Sequence, residues 1–219
     1  MIARDDFEKA LREETIRLNL LDVTNGLYEF LAGNRLASFS YFLGGLRGKR
    51  ILDIGCGAKP KDDYSRRFYG EEYEPHFCRV AKRMGVDVVG VDPRIDPRDE
   101  EFEAHRASTY TLPEFPQESF DGVLTSIFWN DPGFKNGDGL RNHQLETYDR
   151  VKRLLKPGGV SLNVTNEDRG ARDDKQSRIL TPEDFIRLGY EIVCYSLEGE
   201  IESDDIIVLR KPLTVAGSV

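Results

Sequence analysis

The segment Arg50-Ile51-Leu52-Asp53-Ile54 runs directly into Gly55-Cys56-Gly57. An apolar strand closed by two glycines can turn tightly and let its backbone approach a ligand closely. Three further apolar runs follow: Val86 to Val91, ending at Asp92; Phe120 to Ser126; and Val160 to Val164. The stretches between them carry helical punctuation. The segment 74–84 has Pro75 near its start and Gly85 just past its end, the usual asymmetry of a helix. The segment 140–155 stops at Lys156-Pro157-Gly158-Gly159. Short apolar strands alternating with helices need crossover connections, so they predict a parallel sheet covered on both faces.

The two flanks read differently. In residues 1–46, Phe7, Leu11, Leu18 and Leu21 recur at helical spacing with charges between them. Asn25-Gly26 separates this run from a second, which holds Leu27, Phe30, Leu31, Leu36, Phe39, Phe42 and Leu43 and ends at Gly44-Gly45. Aromatic residues crowd this region, which fits helices packed on a core or a cap over a substrate site. At the other end, Thr181-Pro182-Glu183-Asp184 predicts a helix start, with a capping hydroxyl, a proline at the first position and two acids at the positive end of the dipole. Tyr190 to Leu197 and Asp205 to Leu209, joined by a charged turn, have the spacing of an antiparallel pair at the sheet's edge. The expectation is a doubly wound α/β fold: a mostly parallel, seven-stranded sheet with an antiparallel edge strand, plus N-terminal helices. Residues 1–48 would form a helical cap and 49–219 the ligand-binding domain.

Composition narrows the function classes. Of 219 residues, 39% are hydrophobic, and 39 acids against 31 bases give a net charge of −8. An acidic surface disfavours a general nucleic-acid binder. No stretch approaches the roughly 18 consecutive apolar residues of a membrane span. The N-terminus turns acidic at once, unlike a signal peptide. Cys56, Cys78 and Cys194 make neither a disulfide framework nor a paired zinc spacing, so no metal is expected and the cytoplasm is the expected compartment.

The glycine turn excludes one ligand class. A dinucleotide fingerprint needs a third glycine at position 60, where this chain has Pro60. What remains is an acid, Asp53, two residues before a Gly-x-Gly turn, an arrangement that attracts a cationic group and disfavours a pyrophosphate. Binding of NAD or NADP is therefore not expected.

Asp53-Ile54-Gly55-Cys56-Gly57 resembles motif I of the class I S-adenosylmethionine (SAM)-dependent methyltransferases, of the Rossmann-like superfamily. Asp92, ending the next strand, is similar to the family's acid for the ribose hydroxyls. Leu112-Pro113 through Ser119-Phe120-Asp121 resembles its passage into the fourth strand, Leu154-Leu155-Lys156-Pro157-Gly158-Gly159 its turn into the fifth, and Gly189-Tyr190 the opening of its sixth. The marks fall in the family's order across residues 50 to about 210. The resemblance implies SAM as cofactor, with S-adenosylhomocysteine as product. It implies a cofactor set of Asp53, Gly55, Cys56 and Gly57 around the methionine part, Asp92 and Pro93 at the ribose, Ser108 and Thr109 on the adenine side, and Ser126 at the end of the fourth strand.

The chain departs from that pattern twice. The stretch from Asp53 to Asp92 is about twice the length usual in the family, with an insertion over 59–73 that carries Tyr64, Arg66, Arg67 and Tyr69. The acid that often meets the adenine amino group is replaced by Ser108. Candidates for acting on the acceptor follow the fourth strand. Asn130-Asp131-Pro132, after Trp129, resembles the amino-methylating motif only in part: it lacks the second proline and the aromatic, so the motif is not carried over, and its residue types favour a turn. Asp131 there can orient an amine or accept a proton. His143, at the start of the next helix, has a side chain suited to base catalysis near neutral pH. The 166–178 loop carries Arg169 and Arg172, either as a solvated loop or as a lid toward an acidic group.

The leading expectation is a SAM-dependent methyltransferase acting on an O or N atom of a small-molecule acceptor, catalysed by alignment with His143 and Asp131, without membrane or nucleic-acid partners. A homodimer is compatible with it. The rivals are a methyltransferase acting on protein or RNA, a non-catalytic SAM- or nucleotide-binding protein, and an aminopropyl transferase of the same fold.

Overall fold

The computed structural model describes residue 2 and residues 4–59, 73–126, 137–165, 180–195 and 205–213. Three helices come first: α1 (Arg4–Arg17), α2 (Leu20–Val23) and α3 (Leu27–Leu43). Then follow β1 (Arg50–Ile54), α4 (His76–Arg83), β2 (Asp87–Val91), a 3-10 turn (Pro97–Asp99), β3 (Glu103–His105) and β4 (Phe120–Ser126). The chain continues with α5 (Gly137–Leu154), β5 (Leu155–Thr165), α6 (Pro182–Arg187), β6 (Glu191–Tyr195) and β7 (Asp205–Arg210). The seven strands form one sheet in the order β3-β2-β1-β4-β5-β7-β6. Strand β7 is antiparallel to both its neighbours and lies one place in from β6 at the edge. The remaining pairings are parallel.

Two cores lie on opposite faces of the sheet, as alternating strand residues require. Ile51, Val88, Leu124 and Leu162 face α3 and α4, meeting Leu36, Phe39, Phe77 and Val80. Leu52, Val89, Val123 and Leu209 face α5 and α6, meeting Tyr148, Val151 and Phe185. On the first face Phe39 lies so close to β4 that a Cβ at Gly122 would come 2.6 Å from its ring. Phe39 is fully buried and its ring sits 5.9 Å from that of Phe77. The segment 1–48 therefore carries one helix, α3, that forms a layer of the sheet's own core. α1 packs outside it, with Phe7 stacked on Phe42 and Arg17 donating to Ser40 Oγ.

One acid fastens the amino ends of three strands. Asp121 accepts from Lys156 Nζ at 2.7 Å, from the Arg50 amide at 3.0 Å and from Lys49 Nζ at 3.4 Å. Burial opposes its ionised form, but Lys156, the Arg50 amide and Lys49 outweigh it and hold the carboxyl below its usual range. The Lys156-Pro157-Gly158-Gly159 turn lies within β5, where the register with β4 jumps from Phe120↔Leu155 to Gly122↔Val160. At the start of α6 the backbone and hydroxyl of Thr181 both donate to Asp184 Oδ2, while Arg141 of α5 donates to Asp184 Oδ1. Among the described residues, no helix is long and apolar enough to cross a membrane.

Removing the Phe39 ring should cost about 3–5 kcal/mol, the usual range for a buried Phe→Ala. Gly122→Val should cost about 1–3 kcal/mol by overpacking the same contact. Urea unfolding of both variants measures this; near-wild-type stability would mean that α3 is not seated on the sheet. A chain beginning at Lys49 uncovers Ile51, Val88, Leu124 and Leu162 together, so it should aggregate or remain unfolded in a solubility and circular-dichroism comparison.

Candidate active site

The carboxyl ends of β1 and β2 meet at the glycine turn, where ligands of open α/β sheets bind. Gly55 and Gly57 have φ of 80° and 89°, in the left-handed region that side chains avoid. The Gly55 and Cys56 amides both donate to the Val91 carbonyl, at 2.8 and 3.2 Å, which folds the turn over the end of β2. The Gly57 amide donates to Asp92 Oδ2 at 3.2 Å, and the Ala58 amide to the Tyr73 carbonyl at 2.8 Å. A Cβ at Gly57 would lie 2.0 Å from that carbonyl oxygen. Only glycine meets both the dihedral and the space.

Asp92 is 4% exposed. Its Oδ1 accepts from the Arg94 amide at 2.8 Å and from Arg94 Nε at 3.3 Å. The Arg94 guanidinium also lies 6.0 Å from the Tyr73 ring centroid. These bonds fix the carboxylate at the strand end without exhausting its roughly four acceptor positions. Pro93, next in the chain, is exposed beside it.

Asp53 lies beneath the turn and is 2% exposed. Its Oδ2 accepts from Cys78 Sγ of α4 at 3.5 Å. Its Oδ1 is buried and has no hydrogen-bond partner among the described residues. Burial raises its pKa to about 7; Arg35 of α3 and the Cys78 thiol work against the rise, and Asp92 adds to it. An orphaned, buried carboxylate oxygen costs free energy until a donor or cation reaches it. The Cys56 sulfur is buried and donates to the Gly57 carbonyl at 3.4 Å; burial pushes the Cys56 and Cys78 thiols up.

The other sequence candidates fall into three groups. Ser108 closes a local turn with Thr111, through Ser108 N to Thr111 Oγ1 at 3.0 Å and the two hydroxyls at 3.2 Å. Thr109 and His143 are brought together, Oγ1 to Nε2 at 2.7 Å, and Tyr110 stacks on the imidazole. Ser126 ends β4, although its side chain is outside the description, and Trp129, Asn130 and Asp131 lie outside the described residues. So do Pro60, Tyr64, Arg66, Arg67, Tyr69, Arg169 and Arg172. His76 stacks on Tyr28 with ring centroids 5.6 Å apart, joining the start of α4 to the start of α3 beside the turn. Among the described residues, no three His, Cys, Asp or Glu side chains gather as a metal set would.

Sequence reasoning missed Arg35, Tyr73, Cys78 and Arg94. Arg94 was within reach, because a cation two residues after a strand-end acid can fold back onto it. The other three come from elements whose approach to the turn is set only by packing.

No family model matches the chain, and no curated protein sequence does. Solved structures do match. A putative SAM-dependent methyltransferase from Listeria monocytogenes superposes with a TM-score of 0.52 at 14% identity, covering 83% of this chain and 98% of that one. The 1,6-didemethyltoxoflavin-N1-methyltransferase of Burkholderia thailandensis, solved with 1,6-didemethyltoxoflavin and S-adenosylhomocysteine, gives 0.51 at 18% identity, covering 97% and 92%. The [4+2]-cyclase SpnF gives 0.52 at 16% identity, covering 84% and 81%. At such identities the likeness speaks for the architecture, and the chain has the class I SAM-dependent methyltransferase fold.

Proposed function

We propose that this protein is a SAM-dependent methyltransferase that methylates an O or N atom of a small-molecule acceptor. The observation that carries the reading is Asp53, a carboxylate buried with an orphaned oxygen beneath a left-handed glycine turn whose amide is tied to Asp92. Asp53 answers the cationic methionine end of SAM, and the Gly55–Gly57 backbone lets that end approach. Asp92, with Pro93 beside it, takes the ribose hydroxyls. Ser108, Thr109 and Ser126 complete the site from the ends of β3 and β4. When bound, SAM supplies a methyl group already activated for transfer. The chain's part is to align the acceptor, exclude water and take a proton where the acceptor carries one. Asp131 is the candidate for that contact.

The N-terminal helices contribute the acceptor-side cap in this reading. Support comes from Tyr28, which reaches His76 next to the turn, and from Leu21, Leu27 and Leu31, which are exposed on the same helices. Retention of the fold without transfer is the second reading, since one neighbour of the same architecture is described as a [4+2]-cyclase and fold alone does not fix chemistry. A methyl-transfer screen with labelled SAM against metabolite, protein and RNA pools separates these readings. Label in a small-molecule fraction is the expected result. Label in protein or RNA would move the acceptor class, and cofactor binding without label in any pool would favour the non-catalytic reading.

Two kinds of variant test the cofactor placement by calorimetry. Asp92→Ala should weaken S-adenosylhomocysteine by roughly 10- to 100-fold, the range for losing hydrogen bonds to a charged group. Gly57→Val should abolish binding, because its side chain meets the Tyr73 carbonyl. Unchanged affinity in folded variants would remove these residues from the site.

Affinity should also depend on pH. Folded Asp53 holds its proton up to about pH 7, so the pocket gains its negative charge only as pH rises toward that value. Affinity for the cationic ligand should therefore rise from pH 5.5 to 7, and Asp53→Asn should flatten the profile. The same carboxyl works against stability in the opposite sense. Unfolded it ionises near its ordinary value of 3.8, so its contribution favours folding at low pH and fades as pH climbs from there to about 7. A flat affinity profile in the wild-type protein would count against Asp53 as the cation's partner.

A further inference from the structure

Helix α5 grips the passage after β3 at three places. His143 Nε2 lies 2.7 Å from Thr109 Oγ1. The imidazole stacks on Tyr110, with centroids 3.8 Å apart and planes 18° from parallel. Two turns further along, Arg150 Nη2 donates to the carbonyls of Leu112 and Pro113. His143 is only 7% exposed, and its own carbonyl accepts from Thr147 Oγ1 at 2.9 Å, so both ring and backbone are held. A ring stacked and hydrogen-bonded in this way is placed to hold a loop.

The strand order says what that loop meets. Strand β2 lies between β1 and β3, and the Asp92 amide donates to the His105 carbonyl at the end of β3. In the cofactor placement proposed above, the methionine end sits over the turn of β1 and the ribose at Asp92 of β2. The base then continues to the next strand end, where the 108–113 passage begins.

We infer that His143 is a positioning residue of the base site: its imidazole fixes Thr109 and Tyr110 in the arrangement that receives the cofactor's base. The inference rests on the SAM reading. It gives His143 a part in cofactor recognition and leaves proton transfer to other groups. It also makes α5, which begins on the acceptor side of the sheet, the element that sets the base side.

The test is a double-mutant cycle read by calorimetric titration of S-adenosylhomocysteine into wild type, Thr109→Val, His143→Ala and the double variant. Each single substitution should weaken binding by roughly three- to tenfold, the worth of one net hydrogen bond. The double variant should bind no more weakly than the worse single one, because both remove the same interaction. The adenosine half should carry the loss. The ligand 5′-methylthioadenosine, which lacks the amino-acid half, should weaken by the same factor in His143→Ala and be unaffected by Asp53→Asn. His143→Gln, which keeps a hydrogen-bonding side chain, should recover part of the affinity, and His143→Phe, which keeps a ring but no hydrogen bond, takes the place of His143→Ala in the cycle if that variant does not fold. Unchanged affinity in folded variants, or fully additive losses, overturns the role of His143. Failure of the wild-type protein to bind S-adenosylhomocysteine at all overturns the cofactor reading and this inference with it.

Discussion

The hydrogen bond from the Gly57 amide to the Asp92 carboxylate joins the turn after β1 to the end of β2, and the site is arranged around it. It requires Gly57 at φ 89° with the Tyr73 carbonyl where a side chain would be. It holds the turn closed over Asp53, whose burial sets that carboxyl's proton affinity. It also fixes the spacing between the two buried acids Asp53 and Asp92. A bulkier residue at position 57 would displace the turn and the segment that returns at Tyr73 together.

The opposite end of the sheet has an equivalent constraint. Asp121 gathers Lys49, the Arg50 amide and Lys156, which fixes the amino ends of β1, β4 and β5. Two of the family-like passages in the sequence, Ser119-Phe120-Asp121 and Lys156-Pro157-Gly158-Gly159, meet there. Their value is registry, because the lysine after α5 reaches an acid whose burial would otherwise be costly. The motifs therefore divide by position: those at the carboxyl ends of β1 and β2 build the glycine turn, and those at the amino ends hold the sheet.

The sequence carried most of the sheet because fully buried parallel strands read as continuous apolar runs. Strands β1, β2, β4 and β7 lie where their runs predict. Strand β3 does not show as such a run, since Glu103-Ala104-His105 is short and pairs on one side only, with β2. The helical character of residues 27–43 was legible, but their packing partner was not. Phe39 meets Gly122 across a long sequence separation, and nothing local in α3 shows which strand it covers. The same limit governs the site. Asp53, Gly55, Gly57 and Asp92 announce themselves by spacing. Arg35 and Cys78 surround Asp53 only because α3 and α4 share one face of the sheet. His143 read as a base by residue type, and its contacts with Thr109 and Tyr110 depend on where α5 crosses.

The central claim is that Asp53 is a buried, protonated carboxyl which a cationic ligand converts to its charged form. Calorimetric titration of SAM at pH 6, repeated in buffers of different ionisation enthalpy, counts the protons exchanged on binding. The account predicts saturable binding with release of close to one proton, lost in Asp53→Asn. Binding without proton release, or release that persists in Asp53→Asn, would contradict it.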